Sequence, residues 1–336
     1  MNRFLVLTLL LCLALVFLLE ATGAQLAAPA PGVIRVMCLP ARPLALSVAL
    51  EQGLFAKHGV EVQAQVAANS EELRGALAGG AVDLAHAAVD NAVALAEKAH
   101  VDVAVVMGGE GSTNELFAQA SIHSIADLRG QTVIVDAPTT AYAIQLKKIL
   151  LLHGLQAGRD YQIKAVGSTP LRLAAMREHK EYAATILGPP TSLIARHEGF
   201  VSLGSTQQFI GAYQGAGAFV RRAWASENRE LLTRYIAAFV EAQRWILDPA
   251  YKTQVIVLLE KESKLTAADA KEAYDAWIVA PGGLEDDAKI DREGFANVLR
   301  LRAEIEHTWS GETPAPEKYY DPSYYEAALS KLSSNK

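Results

Sequence analysis

Between Val33 and Leu203 short apolar runs alternate with helical segments, and that alternation limits the fold more than any other feature of the chain. Val33–Leu39, Val60–Val66, Ala81–Ala87, Val101–Met107, Thr132–Val135, Gln162–Val166, Tyr182–Ile186 and Val201–Leu203 have the length and β-branched content of buried strands. Segments with helical character lie between them, such as Leu44–Glu51, Val89–Lys98 and Thr191–His197. Strands spaced by helices indicate an α/β protein with a mainly parallel sheet. The stretch Ser124–Tyr142 shows the plan in miniature. Ser124 and Asp127 have capping-box spacing, Gly130 closes the turn, and Thr132–Val135 is a strand. Asp136-Ala-Pro138-Thr139-Thr140 then opens a helix running to Leu152. Free backbone N–H groups and the Thr139 and Thr140 hydroxyls there suit a small polar or anionic group. An ordinary βα loop accounts for the same residues.

The N-terminus sets the expected compartment. Met1–Arg3 is a minimal basic region, Phe4–Leu19 an apolar run, and Glu20–Ala24 supplies small residues for cleavage near Ala24. Residues 1–24 therefore read as a secretory signal peptide. Cys12 lies inside it, so Cys38 alone remains and no intrachain disulfide can form. A periplasm fits this better than a compartment where disulfide frameworks are common. The net charge of −6 gives no reason to expect nucleic acid as a partner.

From Ala225 onward the texture becomes helical, over Ser226–Leu247, Tyr251–Lys261, Ala267–Ile278 and Asp291–His307. Pro314 and Pro316 then introduce a tail, Tyr319–Tyr325, expected to pack on the body. A faint internal echo links Leu73–His86 with Leu171–Ile186, each a helix, a strand and a helix start, and suggests two lobes built alike.

Catalytic signatures are missing: there is no His-Glu-x-x-His, Cys-x-x-Cys, Gly-x-Ser-x-Gly or phosphate-cradling loop, and the eight histidines lack metal spacing. No enzyme, cofactor or metal site is expected. Loop chemistry after strands recurs instead. Gly-Ser-Thr stands at Gly111-Ser112-Thr113, Gly167-Ser168-Thr169 and Gly204-Ser205-Thr206. Hydroxyls and free N–H groups at a sheet's carboxyl edge can hold a ligand, though such residues are also ordinary loop formers. Arg42, between Pro40-Ala41 and Pro43, is the best cationic contact; losing it should cost a bound anion about 1.5–3 kcal/mol. Asn69 and the cluster His86, Ala87, Asp90, Asn91 follow strands, with capping as the competing role for Asn69, Asp90 and Asn91. Tyr142 and Tyr213 could stack on a ligand or pack in the core. Pro138 and the loop Leu187-Gly188-Pro189 complete the candidate set. Glu110 could serve an amine, but a solvated position is the plainer reading.

Three segments together carry a resemblance: Ala49-Leu-Glu-Gln-Gly53-Leu-Phe55 with Gly59-Val-Glu-Val62, Leu77-Ala-Gly-Gly-Ala-Val-Asp83, and Ile125-Ala-Asp-Leu-Arg-Gly-Gln-Thr-Val133. Over Val33 to Ala250 the chain resembles periplasmic solute-binding proteins of the sulfonate, nitrate, taurine and thiamine-pyrimidine-precursor type that serve ABC importers. The resemblance implies a type 2 periplasmic-binding-protein-like fold, two α/β lobes joined by two crossover segments, with a helical C-terminal region. The first lobe would take 25–118 plus 217–336 and the second 119–216, with crossings near Phe117–Ala120 and Gln214–Ala218. It also implies a monomer that presents a small solute to a transporter permease. An enzyme or ligand sensor on the same fold, such as a thiamine-pyrimidine synthesis-related protein, is the alternative. One departure stands out. The second lobe's usual Gly-x-Val-Asp-Ala is here Lys180-Glu-Tyr-Ala-Ala184.

Overall fold

The computed structural model of the chain describes residues 32–40 and 42–334, so the expected signal peptide and Ala41 lie outside the described residues. A first group of elements comprises β1 (Gly32–Cys38), α1 (Leu44–Glu51), α2 (Leu54–Lys57), β2 (Val60–Val66), α3 (Ser70–Ala78), β3 (Leu84–Ala88), α4 (Asp90–Lys98) and β4 (Val103–Glu110). The chain then changes sheet. It forms β5 (Glu115–Ala118), β6 (Thr132–Val135), α5 (Ala141–Leu152), β7 (Gln162–Ala165), α6 (Thr169–Glu178), β8 (Tyr182–Leu187), α7 (Thr191–His197), β9 (Val201–Ser205) and α8 (Thr206–Ile210). It returns as β10 (Ala216–Arg221) and continues through α9 (Arg222–Glu227), α10 (Arg229–Leu247), α11 (Lys252–Ser263), α12 (Ala267–Ala273), α13 (Arg292–Glu306) and α14 (Ser323–Ser334).

Two five-stranded sheets result, ordered β2-β1-β3-β10-β4 and β7-β6-β8-β5-β9. They share one plan. In each, a parallel core of three strands is extended by one antiparallel strand that comes from across the crossover. β10 pairs antiparallel with both β3 and β4 in the first sheet, and β5 does so with β8 and β9 in the second. The two-lobe α/β class expected from the sequence is the one observed.

Local chemistry sets the elements. Asn69 caps α3 by accepting from the Glu71 and Glu72 N–H groups at 3.0 and 2.9 Å. Ser124 and Asp127 form the capping box, with the Ser124 N–H donating to Asp127 Oδ2 at 2.8 Å. Gly130 closes that turn at φ +78°, a conformation that favours glycine. The amphipathic α10 turns Tyr235, Ile236, Phe239 and Val240 onto the first sheet, against Ile34, Val36 and Val220. Fully burying such side chains stabilises the fold by about 1.5–3 kcal/mol each.

Three expectations shift. The crossings fall between Glu110 and Glu115 and between Ile210 and Ala216. Phe117 and Ala118, expected at the first crossing, lie inside β5, because Leu116, Phe117 and Ala118 are all buried and the strand is paired on both sides. Ala216–Ala218, expected at the second, begin β10 for the same reason. The C-terminal helices are not confined to the first lobe. α13 also packs on α5, and Lys147 Nζ reaches Glu306 at 2.8 Å. The tyrosine tail packs on the body as expected: Tyr319 is buried and donates to Glu97 Oε1 at 2.6 Å. α14 begins within this tail, at Ser323, and has no counterpart among the helices expected from the sequence.

Candidate functional site

The carboxyl ends of the strands in both sheets face one cavity of about 150 Å³. From the first sheet come Leu39 and Pro40 after β1, Asn69 after β2, Ala87 and Ala88 at the end of β3, and Glu110 ending β4. From the second come Asp136 after β6, Ser168 and Thr169 after β7, and Arg172 within α6. This is the edge at which open α/β sheets bind ligands. The two crossings form its back. A side chain at Gly215 would meet the Gly111 carbonyl oxygen at 2.0 Å, so the crossing backbones pass in direct contact.

Half of the candidate ligand residues read from the sequence line this cavity. Pro40, Asn69, His86, Ala87 and Asn91 line the cavity on the first-lobe side. Thr140, Tyr142, Ser168 and Thr169 line it on the other, and Tyr213 lines it from the second crossing. Gly188, Pro189 and Thr113 border a smaller side pocket that shares Glu110, Tyr142 and Thr169 with the main one. Arg42 borders that side pocket and another at the mouth, but not the main cavity.

Others are placed elsewhere. Asp90 is buried with both oxygens bonded to Arg302, at 2.7 and 2.8 Å, so it closes an internal ion pair instead of facing the cavity. Thr139 turns its carbonyl to Arg302 at 3.0 Å, and Pro138 gives its carbonyl to Lys147 at 2.9 Å. Leu187 is a core residue of β8, and Ser112 is buried outside the cavity wall. Ala41 lies outside the described residues.

The polar groups of the cavity are unevenly matched. Arg172 is fully buried and is the one cation among the described residues that line the main cavity. Its guanidinium donates to Thr185 Oγ1 (3.1 Å), Gly167 O (2.8 Å), Thr169 Oγ1 (3.1 Å) and Ile186 O (3.0 Å). Four of its five N–H groups are thereby occupied, and its plane stands over the Tyr142 ring at 4.6 Å. Asp136 accepts from the Thr140 hydroxyl. Burial pushes its carboxyl pKa up, against the opposing charge of Arg172. Glu110 accepts from Trp277 Nε1 at 2.9 Å through Oε2. Burial raises its pKa too, opposed only by that hydrogen bond, and no ion pair to it is present among the described residues. Gln145 is 1 % exposed, and its Oε1 has no hydrogen-bond partner. His86 is buried, bonded through Nε2 to the Tyr235 hydroxyl at 2.8 Å and stacked on Phe239. Burial lowers its pKa to about 3, so it is neutral.

The sequence does not single out Arg172, Asp136 and Gln145 as cleft residues, and for Glu110 it offers a solvated position with an amine contact as the alternative. Only Glu110 carried a signal, as an acid closing an apolar strand beside two glycines.

Comparison with known proteins adds the relationships. Residues 34–260 match the model of the NMT1-like family. A putative binding protein of Brucella abortus (strain 2308) is 28% identical over 254 residues, 75% of this chain and 76% of that one. Among solved structures, the periplasmic nitrate-binding protein of Synechocystis PCC 6803 superposes with a TM-score of 0.75 at 14% identity, covering 91% of this chain and 90% of that one. A ligand-binding component of an ABC-type import system from Staphylococcus aureus, solved with zinc bound, gives 0.71 at 15% identity, over 88% and 99%. At such identities the structural likeness speaks to the fold.

Proposed function

This chain belongs to the NMT1-like family, and from that premise and the geometry of its cleft we propose that it is the substrate-binding component of an ABC importer, which captures a small organic solute between its lobes and hands it to a permease. The observation that carries the reading is the cavity itself. Its walls come from the carboxyl edges of both sheets, while two short crossings, Gly111–Asn114 and Gly211–Gly215, carry the chain between them. A ligand touching both walls favours the closed arrangement by the contacts it makes only there. The lobes divide at those crossings. The protein acts in the periplasm as a monomer, by binding without turnover. Support comes also from the printed names of its relatives, a binding protein, a nitrate-binding protein and an import-system component.

The test is ligand-linked stability. A true ligand at 100 times its Kd should stabilise the protein by about 2.7 kcal/mol and be recovered chemically unchanged. Protein purified without denaturation should also release that solute to mass spectrometry. No co-purified solute, together with no stabilisation across broad metabolite libraries, would refute the reading. Chemical conversion of the bound compound would favour an enzyme.

A further inference from the structure

Two acceptors of the cleft, Glu110 Oε1 and Gln145 Oε1, receive no hydrogen bond, and they narrow the ligand class. Glu110 Oε1 has no hydrogen-bond partner, and its carboxylate has no counter-charge among the described residues, although it lies in the cavity wall. Gln145, in α5 on the second-lobe side of the cavity, has its Oε1 buried and unpartnered, while its side chain stands within hydrogen-bond reach of Tyr213. Asp136 is a second carboxylate there, with Arg172 as its balancing charge. A buried acceptor without a donor is costly, so Gln145 Oε1 is satisfied, and the half-buried Glu110 neutralised, when a ligand supplies charged N–H groups.

The cationic donors an oxyanion would need are largely engaged, which leaves the hydroxyls of Tyr142, Tyr213 and Ser168 and the Asn114 amide as the neutral donors of the cavity. Arg172 has one N–H left. The Thr140 hydroxyl donates to Asp136, whose carboxylate stands beside the start of α5 where an anion would otherwise sit. Arg74 donates to Asn91 Oδ1 at 2.8 Å, and Arg302 is held by Asp90. A sulfonate or nitrate entering this cavity would meet two carboxylates with few donors to offset them.

We propose that the ligand is a small organic cation rich in N–H donors, of the alkylammonium, amidinium or guanidinium class, with Glu110 as its counter-ion and Gln145 Oε1 as a second acceptor. This rests on the binding-protein reading and specifies its solute. The aromatic rings of Tyr142, one face of which Arg172 already covers, and Tyr213 also line the cavity and suit such a cation, which a π face attracts. The raised pKa of Glu110 agrees: a buried carboxylate lacking its cation holds a proton more tightly.

The experiment compares agmatine and ethylammonium with ethanesulfonate and nitrate, by calorimetry and thermal shift, on the wild-type chain and on Glu110→Gln and Gln145→Met. The expected result is binding of at least one cation, weakened at least tenfold by Glu110→Gln and about threefold by Gln145→Met. Circular dichroism confirms that each variant folds. Binding of the anions alone, or cation binding that Glu110→Gln leaves unchanged, overturns the cation class and leaves the binding reading standing. Failure of all four probes overturns the cation class as well, and a solute recovered by mass spectrometry then still upholds the binding reading.

Discussion

The buried pair between Asp90 and Arg302 permits a quantitative test of how the two lobes are held. Both side chains are removed from water, at 2% and 0% exposure, and the carboxylate receives the guanidinium fork at 2.7 and 2.8 Å. The same guanidinium donates to the Thr139 carbonyl of the second lobe, so α13 ties together the start of α4 and the approach to α5. One further nitrogen, Arg302 Nη1, is buried without a partner. Asp90→Asn keeps the shape but leaves the guanidinium charge uncompensated, which costs about 3–5 kcal/mol. Against a total stability of about 5–15 kcal/mol, that is a large fraction. Arg302→Met should cost a similar amount by stranding the carboxylate. The double variant Asp90→Leu with Arg302→Met removes both charges and should lie within about 2 kcal/mol of wild type, since well-packed apolar replacements of buried pairs are often neutral. Urea denaturation followed by far-UV circular dichroism measures all four corners of the cycle. Single variants within 1 kcal/mol of wild type, on the scale of an exposed ion pair, would refute the reasoning. So would a double variant as unstable as the sum of the singles.

Other outcomes follow from the same geometry. His86 titrates near 6.5 when unfolded and at about 3 when folded, so between those values the unfolded chain binds a proton that the native one does not. Stability from this residue is therefore complete above 6.5 and lost as pH falls, by about 2 kcal/mol at pH 5; His86→Gln should flatten that part of the urea-midpoint profile, and an unchanged profile would show that His86 is not the titrating group. Gly215→Ala drives a methyl onto the Gly111 carbonyl, at 2.0 Å in the unrelaxed backbone. It should cost about 1–3 kcal/mol and weaken ligand-induced stabilisation, whereas wild-type behaviour in both assays would separate the two crossings. Arg42→Ala, at the mouth and outside the main cavity, should change cation affinity by less than threefold in calorimetry; a tenfold loss would restore Arg42 to the site.

The parts of the fold that sequence alone made legible are those whose signals are local. Val60–Val66 and Thr191–His197 have their observed limits because a β-branched run and a proline-led helix start depend on neighbours in the chain. Phe117–Ala120 and Gln214–Ala218, which overlap β5 and β10, read as crossings in the sequence because both are short and the second is glycine-rich. What makes β5 and β10 strands is pairing with partners up to 136 positions away, as in Ala216 with Ala88 and Val220 with Leu84. The site divides the same way. Loop residues at strand ends, such as Asn69, His86, Thr140 and Thr169, were reachable from the α/β pattern. Arg172 was not, because an arginine inside Leu171-Arg172-Leu173 reads as a solvated helix position until the fold closes around it. Asp90 misled for the opposite reason: its partner, Arg302, lies 212 residues on.

The exchange of strands between the sheets bears on how the chain can be made. β3 and β4 are separated in the finished sheet by β10, so the first sheet has no continuous ladder until Arg221 has been synthesised. At ordinary translation rates, delivering the chain between Glu110 and Arg221 takes on the order of ten seconds. Throughout that interval β4 has no neighbour on the β3 side and the N-terminal half remains an incomplete layer. A polypeptide that cannot finish its first half early stays open for threading through a narrow channel. Its assembly is correspondingly slow, because the closing pairs are remote in sequence. A nascent chain cut short before β10 should consequently be captured by chaperones or degraded, since its first sheet is still incomplete.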